Sequence, residues 1–272
     1  MLYLVATPIG NLADITFRAI ETLKSCDYIL CEDTRHSRTL LVHYGIEKPL
    51  KSYHKFNEAS QAEGILDDLR NGKVIALVSD AGTPGISDPG ADLVKSCLDA
   101  DLTVTAIPGP CAAIQALSCS GLDTTRFQFV GFLPKKEGAL KKMLQEILAY
   151  KGTTACYESP HRLIDALEML HELEPARLLA VGRELTKKFE ELRRGTASEL
   201  LEHWKVNVLK GEIVLLISGS TGHDIDWEAL SPEEHVAHLE ESYSLSRQEA
   251  IKMAAELRGV PKRTIYNAVQ KN

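Results

Sequence analysis

The stretch VIALVSDAGTPGISDPG, residues 74–90, decides the fold class of this chain. It begins with an apolar run rich in β-branched residues, which is typical of a strand covered by helices on both faces. The polar segment that follows is crowded with glycine and proline, so its backbone must turn tightly and lie open to close approach. An ordinary turn is the alternative, but it needs fewer such residues. Because open α/β sheets bind ligands at the carboxyl ends of their strands, we predict a ligand-binding loop here.

The order of strand, turn and helix recurs along the chain. Short apolar runs at residues 2–6, 28–31 and 103–107 end in turn or charged residues, and helical patterns follow them. This recurrence predicts a mostly parallel sheet covered on both faces. A second set of strands starts near residue 127, and these strands also end in polar residues. We therefore predict two α/β domains with a cleft between them and a small C-terminal helical unit, with boundaries at 1–118, 119–222 and 231–272.

The C-terminal unit follows a polar segment, residues 219–232, that we interpret as a linker. An amphipathic pattern at 248–257, a glycine and proline break, and a basic helical pattern at 262–269 have the layout of a helix-turn-helix. A plain helical hairpin fits the same pattern.

Composition narrows the class of protein. Of the 272 residues, 44% are hydrophobic and 25% charged, as in soluble globular proteins. No apolar run is long enough to span a bilayer and the N-terminus has no basic leader, so we expect a cytoplasmic protein without a membrane partner. The net charge of -7 argues against a protein that coats nucleic acid. Local basic clusters keep RNA binding open: Lys135, Lys136, Lys141 and Lys142; Lys187, Lys188, Arg193 and Arg194; Lys262 and Arg263.

Several standard catalytic devices are missing from the sequence. No G-x-G-x-x-G follows the first strand, and neither a P-loop nor a G-x-S-x-G motif occurs. His235 and His238 have helical spacing for a metal, but no third ligand stands nearby and one apolar face explains the helix. We expect no metal. An organic cofactor bound by loops is the interpretation that remains.

Seven motifs occur in one order between the first residues and about Ser218. Together they resemble the cytidine 2'-O-methyltransferase branch of the tetrapyrrole methylase family, which acts on small-subunit ribosomal RNA. The motifs are LYLVATPIGNLADIT from Leu2, CEDTR from Cys31, LVSDAGTPGISDPG from Leu77, PGPCAAI from Pro108, GFLPKK from Gly131, YESPHR from Tyr157 and GRELTK from Gly182.

The resemblance implies a two-domain α/β enzyme, usually a homodimer, that binds S-adenosyl-L-methionine between its domains. Backbone groups of three loops and of the second domain hold the cofactor in that family. Small side chains suit such a pocket, because nothing bulky then stands near the ligand. The matching positions in this sequence are Pro8, Gly82, Thr83, Pro84, Ile86, Ser87, Cys111, Ala112, Ala113, Tyr157, Leu185 and Glu212.

The resemblance also implies the substrate, a cytidine near the decoding site of 16S ribosomal RNA in the 30S subunit. A ribose hydroxyl is a weak acid, so a general base or a cation near the developing alkoxide is required. The candidates at strand ends are Asp33 with Arg35, His54, Lys135 with Lys136, Glu158 with His161, and Arg183 with Glu184. Glu158 and Glu184 are favoured as the base because both end strands that face the expected cofactor site. Lys135 and Arg35 are candidates for phosphate or oxyanion contact, and a simple salt bridge is the alternative for each. Two other classes stay open at this point, a small-molecule methyltransferase of the tetrapyrrole type and a non-enzymatic RNA-binding protein.

Overall fold

The computed structural model describes residues 1–207, 210–220, 230–243 and 245–270. Contacts within the chain divide it into two compact units. The first contains Met1–Gly121 together with Val181–Leu192 and Gly211–Val214, and the second contains the remainder. The predicted domains are continuous in sequence, whereas these units are not, because two short segments of the second half of the chain pack with the first half.

The first sheet consists of five strands, and every recorded pair in it is parallel. The strands are β1 (Leu2–Val5), β2 (Tyr28–Cys31), β3 (Leu50–Ser52), β4 (Ile75–Leu77) and β5 (Val104–Ile107). Their order in the sheet is β3-β2-β4-β1-β5, with β1 and β4 adjacent near the centre. Ala76 and Leu77 are neighbours in β4, but their side chains belong to two separate buried hydrophobic clusters. Both faces of the sheet are therefore covered, as the apolar run at residues 74–78 predicts.

Helices alternate with these strands, which confirms the predicted α/β pattern. A short 3-10 helix, Leu12–Asp14, precedes the first of them. The N-cap hydroxyl of Thr16 accepts a hydrogen bond from the Ala19 N–H and begins that helix. The five helices are α1 (Phe17–Ser25), α2 (Thr34–His43), α3 (Glu58–Arg70), α4 (Ala91–Asp99) and α5 (Ala112–Ser120).

The second sheet has the order β6-β7-β10-β8-β9. Its strands are β6 (Phe127–Phe132), β7 (Thr153–Glu158), β8 (Leu178–Arg183), β9 (Glu191–Thr196) and β10 (Ile213–Ile217). The helices are α6 (Glu137–Ala149), α7 (Pro160–Leu173) and α8 (Ala197–Val206). Neither β9 nor α8 was predicted from the sequence. The edge strand β9, ELRRGT, has almost no apolar residue and therefore lacks a burial pattern. The capping box formed by Thr196 and Glu199 is the signal that marks the start of α8.

Three helices form the C-terminal unit: α9 (Pro232–Tyr243), α10 (Arg247–Leu257) and α11 (Lys262–Val269). Gly259, with φ +64°, makes the turn between the last two, so helix, turn and helix follow one another in an order that a helix-turn-helix and a plain helical hairpin share. The three helices share one apolar core, to which Ala149 of α6 also contributes. Residues 221–229 of the predicted linker lie outside the described residues.

His235 is part of the core of this unit. It is 1% exposed and accepts a hydrogen bond from Arg258 Nε at 3.0 Å. Burial, together with the neighbouring guanidinium, lowers the pKa of His235 to about 4. The spacing of His235 and His238 therefore has a packing explanation. Among the described residues, none of the helices combines the length and apolarity that crossing a lipid bilayer requires.

Candidate cofactor and active site

The loops that follow β1, β4 and β5 are hydrogen-bonded to one another. The backbone N–H of Thr7 donates to the carbonyl of Gly82 at 2.8 Å, and the Gly82 N–H donates back at 3.0 Å. The Thr7 hydroxyl donates to the carbonyl of Ser79 at 3.1 Å. Thr83 Oγ1 donates to the carbonyl of Pro110 at 3.1 Å. Three loops at the carboxyl edge of the first sheet thus form one rigid framework.

The glycine loop, residues 78–90, adopts a backbone that most residues avoid. Gly82 and Gly85 have φ of +78° and +81°, and Ser87, which carries a side chain, has φ +65°. Gly90 is required for space, because a Cβ there would lie 2.6 Å from Leu77 Cδ2. Within the described part of the chain, the backbone N–H groups of Gly85 and Ser87 donate to no other group. These backbone donors are therefore available to a ligand.

The loop after β5 leads directly into α5. Gly109 lies so close to β1 that a Cβ on it would be 2.9 Å from the Cβ of Ala6. Cys111 is the N-cap residue of α5, and its side chain makes no capping hydrogen bond. The first N–H groups of the helix, at Ala112 and Ala113, are left for another partner. The structure thus places a second set of donors beside the glycine loop.

The segment after β8 packs against the loop after β1. The Asn11 N–H donates to Thr186 Oγ1 at 3.0 Å. A Cβ on Gly10 would lie 2.4 Å from Lys187 Cγ, so glycine alone fits there. Leu185 is 8% exposed, and Lys187 Nζ reaches Glu212 Oε2 at 3.0 Å. The two segments of the second half of the chain that join the first unit carry these predicted cofactor positions.

The first unit thus contains almost every predicted cofactor position. Tyr157 is the exception, since it belongs to the second unit and packs there against Phe129 and Phe132, with ring centroids 4.9 and 5.8 Å away. The positions in the first unit are Pro8, Gly82, Thr83, Pro84, Ile86, Ser87, Cys111, Ala112, Ala113, Leu185 and Glu212.

Glu184, one of the two candidate bases, is committed to local contacts. Its Oε1 accepts from Lys187 Nζ at 2.8 Å and from the backbone N–H of Glu212 at 3.0 Å. Both hydrogen bonds lower the pKa of the Glu184 carboxyl, and the one from Lys187 has the larger effect. Gly211 leaves the room for this carboxylate, since a Cβ there would lie 2.3 Å from Glu184 Cδ.

Glu158, the other candidate base, is 3% exposed. Its Oε1 accepts the Ser159 N–H at 2.7 Å and pairs with Arg162 at 3.0 Å. Arg162 also donates to the carbonyl of Leu133, at the start of the basic GFLPKK motif. Burial raises the pKa of the Glu158 carboxyl, and the arginine opposes that rise. The contacts of Glu158 support the loops after β6 and β7.

The two predicted cationic residues lie on the surface of different units. The Arg35 guanidinium holds Asp33 through two hydrogen bonds, of 3.2 and 2.8 Å, while its side chain remains 91% exposed. That guanidinium lowers the pKa of the Asp33 carboxyl well below its usual range. Lys135 is exposed just before α6.

Three carboxyl groups that the sequence analysis did not single out meet at the edge of the first sheet. Burial, then the charges of Glu32 and Asp80, raises the pKa of Asp88 to about 6. Burial and Asp80 also raise the pKa of Glu32. Asp80 accepts the Asp33 N–H at 3.1 Å, whereas Asp88 makes no hydrogen bond or ion pair with any described residue. The signal that marks them is their place in the motifs, Glu32 in CEDTR and both Asp80 and Asp88 in LVSDAGTPGISDPG.

A metal site is not evident in the same region. In the described ranges, no group of three or more His, Cys, Asp or Glu residues is arranged to hold a metal ion. The expectation that the chain needs no metal stays a prediction.

Comparison with known proteins places these features in a family. The family model "Tetrapyrrole (Corrin/Porphyrin) Methylases" matches residues 1–201. The chain is 48% identical over 271 residues to the ribosomal RNA small subunit methyltransferase I of Halalkalibacterium halodurans, covering 98% of this chain and 93% of that protein. It is 49% identical to the protein of the same name from Hydrogenobaculum sp. over 220 residues, which cover 80% of this chain and 95% of that protein.

A solved structure shares the fold at low identity. The uroporphyrin-III-C-methyltransferase of Thermus thermophilus superposes with a TM-score of 0.55 at 21% identity, covering 80% of this chain and 93% of that one. The similarity to the Halalkalibacterium protein continues through the C-terminal helices, beyond the motifs that end near Ser218.

Proposed function

The chain belongs to the tetrapyrrole methylase family, within its ribosomal RNA small subunit methyltransferase I group, and we propose that it 2'-O-methylates a cytidine of 16S ribosomal RNA near the decoding site. Near full-length identity to relatives with that printed name supports the substrate. The observation that carries the activity is the framework of loops joined by Thr7 and Gly82, which presents unpaired backbone donors at one sheet edge.

S-adenosyl-L-methionine is the cofactor that we propose for this framework. The open N–H groups of Gly85 and Ser87 and the uncapped start of α5 suit the carboxylate and ribose oxygens of such a ligand. Leu185 adds an apolar surface beside the loop after β1. We expect Gly82, Thr83, Pro84, Ile86, Ser87, Cys111, Ala112 and Ala113 to hold the cofactor together with Pro8, Tyr157, Leu185 and Glu212.

The chemistry that the cofactor supplies when bound is an activated methyl group on a sulfonium, whose leaving group is neutral. The protein therefore needs no acid to assist departure, and positioning contributes most of the rate. A ribose hydroxyl still has to lose its proton as the new O–C bond forms. The site must accordingly provide a carboxylate or similar base next to the hydroxyl.

We assign the base to Asp88. It follows two cofactor positions, Ile86 and Ser87, and is half-buried. Unlike Glu158 and Glu184, its oxygens have no hydrogen-bond partner among the described residues, so both remain available to a hydroxyl. A pKa of about 6 leaves Asp88 ionised at neutral pH yet more basic than an ordinary carboxylate. Glu158 and Glu184 then support the loops around them.

The 30S subunit or its RNA is the partner that we propose. Arg35 and Lys135 are exposed and suited to phosphate oxygens. Lys262 and Arg263 open α11 on the exposed face of the C-terminal unit, where a recognition helix presents its contacts. We further propose that the protein is a cytoplasmic homodimer, a state that the mass measured by light scattering would check.

The test is methyl transfer from labelled S-adenosyl-L-methionine into 30S subunits, followed by mapping of the modified nucleotide. We expect label on one ribose of the RNA. In parallel, S-adenosylhomocysteine should raise the melting temperature, since a ligand that binds only the native state stabilises it. A thermal shift without label in RNA would favour a small-molecule methyltransferase. RNA binding without a thermal shift would favour a non-enzymatic RNA-binding protein.

A further inference from the structure

One aromatic ring in the loop between β3 and α3 is almost wholly exposed. Phe56 is 95% exposed, the most exposed of the large hydrophobic side chains described, and its ring contacts that of His54 edge-on, with the centroids 6.1 Å apart. An exposed phenylalanine needs no explanation when isolated, but Lys55 and Glu58 flank this one in sequence, and Glu58 is hydrogen-bonded to the glycine loop. Those surroundings point to a ligand with both an aromatic face and negative charge.

The loop that carries Phe56 is held by its own hydrogen bonds. The His54 N–H donates to Asn57 Oδ1 at 2.8 Å, and Asn57 Nδ2 donates to the carbonyl of Ser52 at 3.1 Å. Gln61 Nε2 donates to the same carbonyl at 2.9 Å. Because the turn is anchored at both ends, the ring of Phe56 is presented to solvent in a defined place. Little conformational entropy would be lost when a planar ligand stacks on it.

Basic side chains form the outer rim of this surface. Lys55 precedes the ring, and Arg35, His36 and Arg38 lie exposed on the first turns of α2. The two loops are neighbours because β2 pairs with β3 and the Tyr53 N–H donates to the carbonyl of Cys31 at 2.8 Å.

The acidic groups lie on the inner side of the same surface. Glu32, Asp33 and Glu58 are half-buried, and Asp33 is already neutralised by Arg35. The cations are therefore the more exposed groups around the ring, whereas Glu58 Oε1 accepts a hydrogen bond from the glycine loop and the charge of Asp80, in that loop, acts on Glu32. A nucleotide of a single strand has the matching arrangement, with a stacking base, phosphates on its outer side and ribose hydroxyls that carboxylates bind.

This surface is continuous with the proposed cofactor loop. The Gly90 N–H donates to Glu58 Oε1 at 3.1 Å, which ties α3 to the glycine loop. The Asp33 N–H donates to Asp80 Oδ1 at 3.1 Å, which ties the start of α2 to the loop after β4. An RNA strand on the rim would thus lie beside the place where a ribose must be methylated.

We propose that Phe56 stacks on an unpaired base of the RNA substrate while Lys55 and Arg35 contact the flanking phosphates. This inference rests on the proposed function and adds to it the surface on which the RNA strand is held. Stacking leaves the ribose exposed and reads no base edge, which suits an enzyme that modifies the sugar. The stacked nucleobase takes no part in the reaction, so Phe56 is a positioning residue.

The first experiment compares full-length Phe56→Leu and Phe56→Trp with the wild type. Leucine keeps the apolar character of the side chain but loses its aromatic face, whereas tryptophan keeps the aromatic face. Because one stacked base contributes about 1–3 kcal/mol, we expect Phe56→Leu to raise KM for 30S subunits roughly 5- to 150-fold. The value of kcat and the affinity for S-adenosylhomocysteine should stay unchanged, and Phe56→Trp should retain the wild-type KM. A wild-type KM in Phe56→Leu would overturn the inference.

The charge contribution has a matched control. Lys55→Gln should weaken RNA binding and lower the salt slope of log Kd by about one, because one phosphate contact is lost. Lys24→Gln makes the same change on the last turn of α1, at the opposite edge of the sheet, and should change neither quantity. Equal effects of the two variants would show that only net charge matters and would overturn the assignment of Lys55.

A direct readout separates this inference from the proposed function. The wild type already contains two tryptophans, Trp204 and Trp227, so the emission of Phe56→Trp is measured as the difference from the wild type titrated in the same way. We expect a short unpaired oligocytidine to quench that emission. Quenching without methyl transfer by the wild type would refute the proposed function and support the stacking surface. Methyl transfer without quenching would support the proposed function and refute the stacking surface.

Discussion

The carboxyl edges of the two sheets use their loops in opposite ways. At the first sheet, Gly82, Gly85 and Ser87 adopt positive φ and the loop leaves backbone donors open. At the second sheet, side chains close the strand ends. Glu158 pairs with Arg162 after β7, and Arg183 pairs with Glu191 at 3.2 Å after β8. From this difference we propose that a strand end becomes a ligand site when its polar groups are left unsatisfied, and not merely because it is polar.

The largest effect should come from a bulky side chain in the glycine loop, at the carboxyl edge of the first sheet. Gly82→Val puts a β-branched residue at φ +78°, where a Cβ already approaches Ile9 Cγ2 to 3.4 Å. We expect S-adenosylhomocysteine binding to fall below detection by calorimetry while circular dichroism stays that of a folded protein.

Gly72→Val is the matched control for this substitution. Gly72 has φ +83° and open space around it, and it lies in the turn before β4, at the opposite edge of the sheet. Both variants should lose stability through the backbone, but Gly72→Val should keep wild-type affinity. Unchanged affinity in Gly82→Val would remove the glycine loop from the cofactor site.

The next largest effect is expected at Asp88, whose carboxyl has no hydrogen-bond partner among the described residues. Asp88→Asn should lower kcat by about 10²–10⁴ without changing cofactor affinity, because a general base contributes a rate factor of that order. In the wild type the rate should fall as pH decreases through about 6, since protonation removes the base. The variant should lose this dependence. The exposed Asp92→Asn, in the first turn of α4, is the control that should behave as wild type.

The same carboxyl has a consequence for stability. Its pKa in the folded state is raised from the ordinary value of an aspartate to about 6, so the charged form is disfavoured in the fold and stability decreases as pH rises towards 6. Asp88→Asn should therefore melt at a higher temperature than the wild type at pH 8. An active variant with an unaltered pH profile would exclude Asp88 as the base.

A smaller, purely structural effect is expected at the closed edge. Glu158→Ala leaves Arg162 and the Ser159 N–H without their carboxylate partner, at a cost of about 1–3 kcal/mol in the free energy of unfolding. Methyl transfer by the folded variant should stay near that of the wild type. Loss of activity without loss of stability would restore Glu158 as a candidate base and abolish the contrast between the two edges.

Removal of residues 231–272 should leave the open edge intact. The match to the Hydrogenobaculum relative covers 95% of that protein but 80% of this chain, so that relative is the shorter of the two. We expect unchanged S-adenosylhomocysteine affinity and weaker binding of 30S subunits, with the loss largest at low salt. If truncation lowered only the melting temperature or the oligomeric mass, the unit would be a packing element and its RNA role would have to be dropped.

No change is expected on chelation. The sulfonium is already activated, so activity measured with a chelator-treated protein should equal that of the untreated protein once magnesium for the ribosome is restored. A requirement for one other divalent ion would be the contrary result.

The sequence alone determined the architecture and the framework of the site. Alternating apolar runs and turn residues are local signals, and they are sufficient to predict the strands at residues 2–6, 28–31, 74–78 and 103–107 of the first sheet. Crowded glycine and proline at residues 82–90 marked the loop, because positive φ and close approach restrict the residue type at single positions. The edge strand β9 escaped prediction because its polar sequence carries no burial signal.

Only the tertiary structure decided which polar residues are committed and which are available. Glu158, Glu184 and Asp88 all follow strands and look equivalent in sequence. The fold brings Lys187 and the Glu212 N–H to Glu184 and brings Arg162 to Glu158, whereas Asp88, buried beside Glu32 and Asp80, has no hydrogen-bond or ion-pair partner among the described residues. Pairing and desolvation depend on neighbours that are distant in the chain, and local sequence patterns carry no information about them.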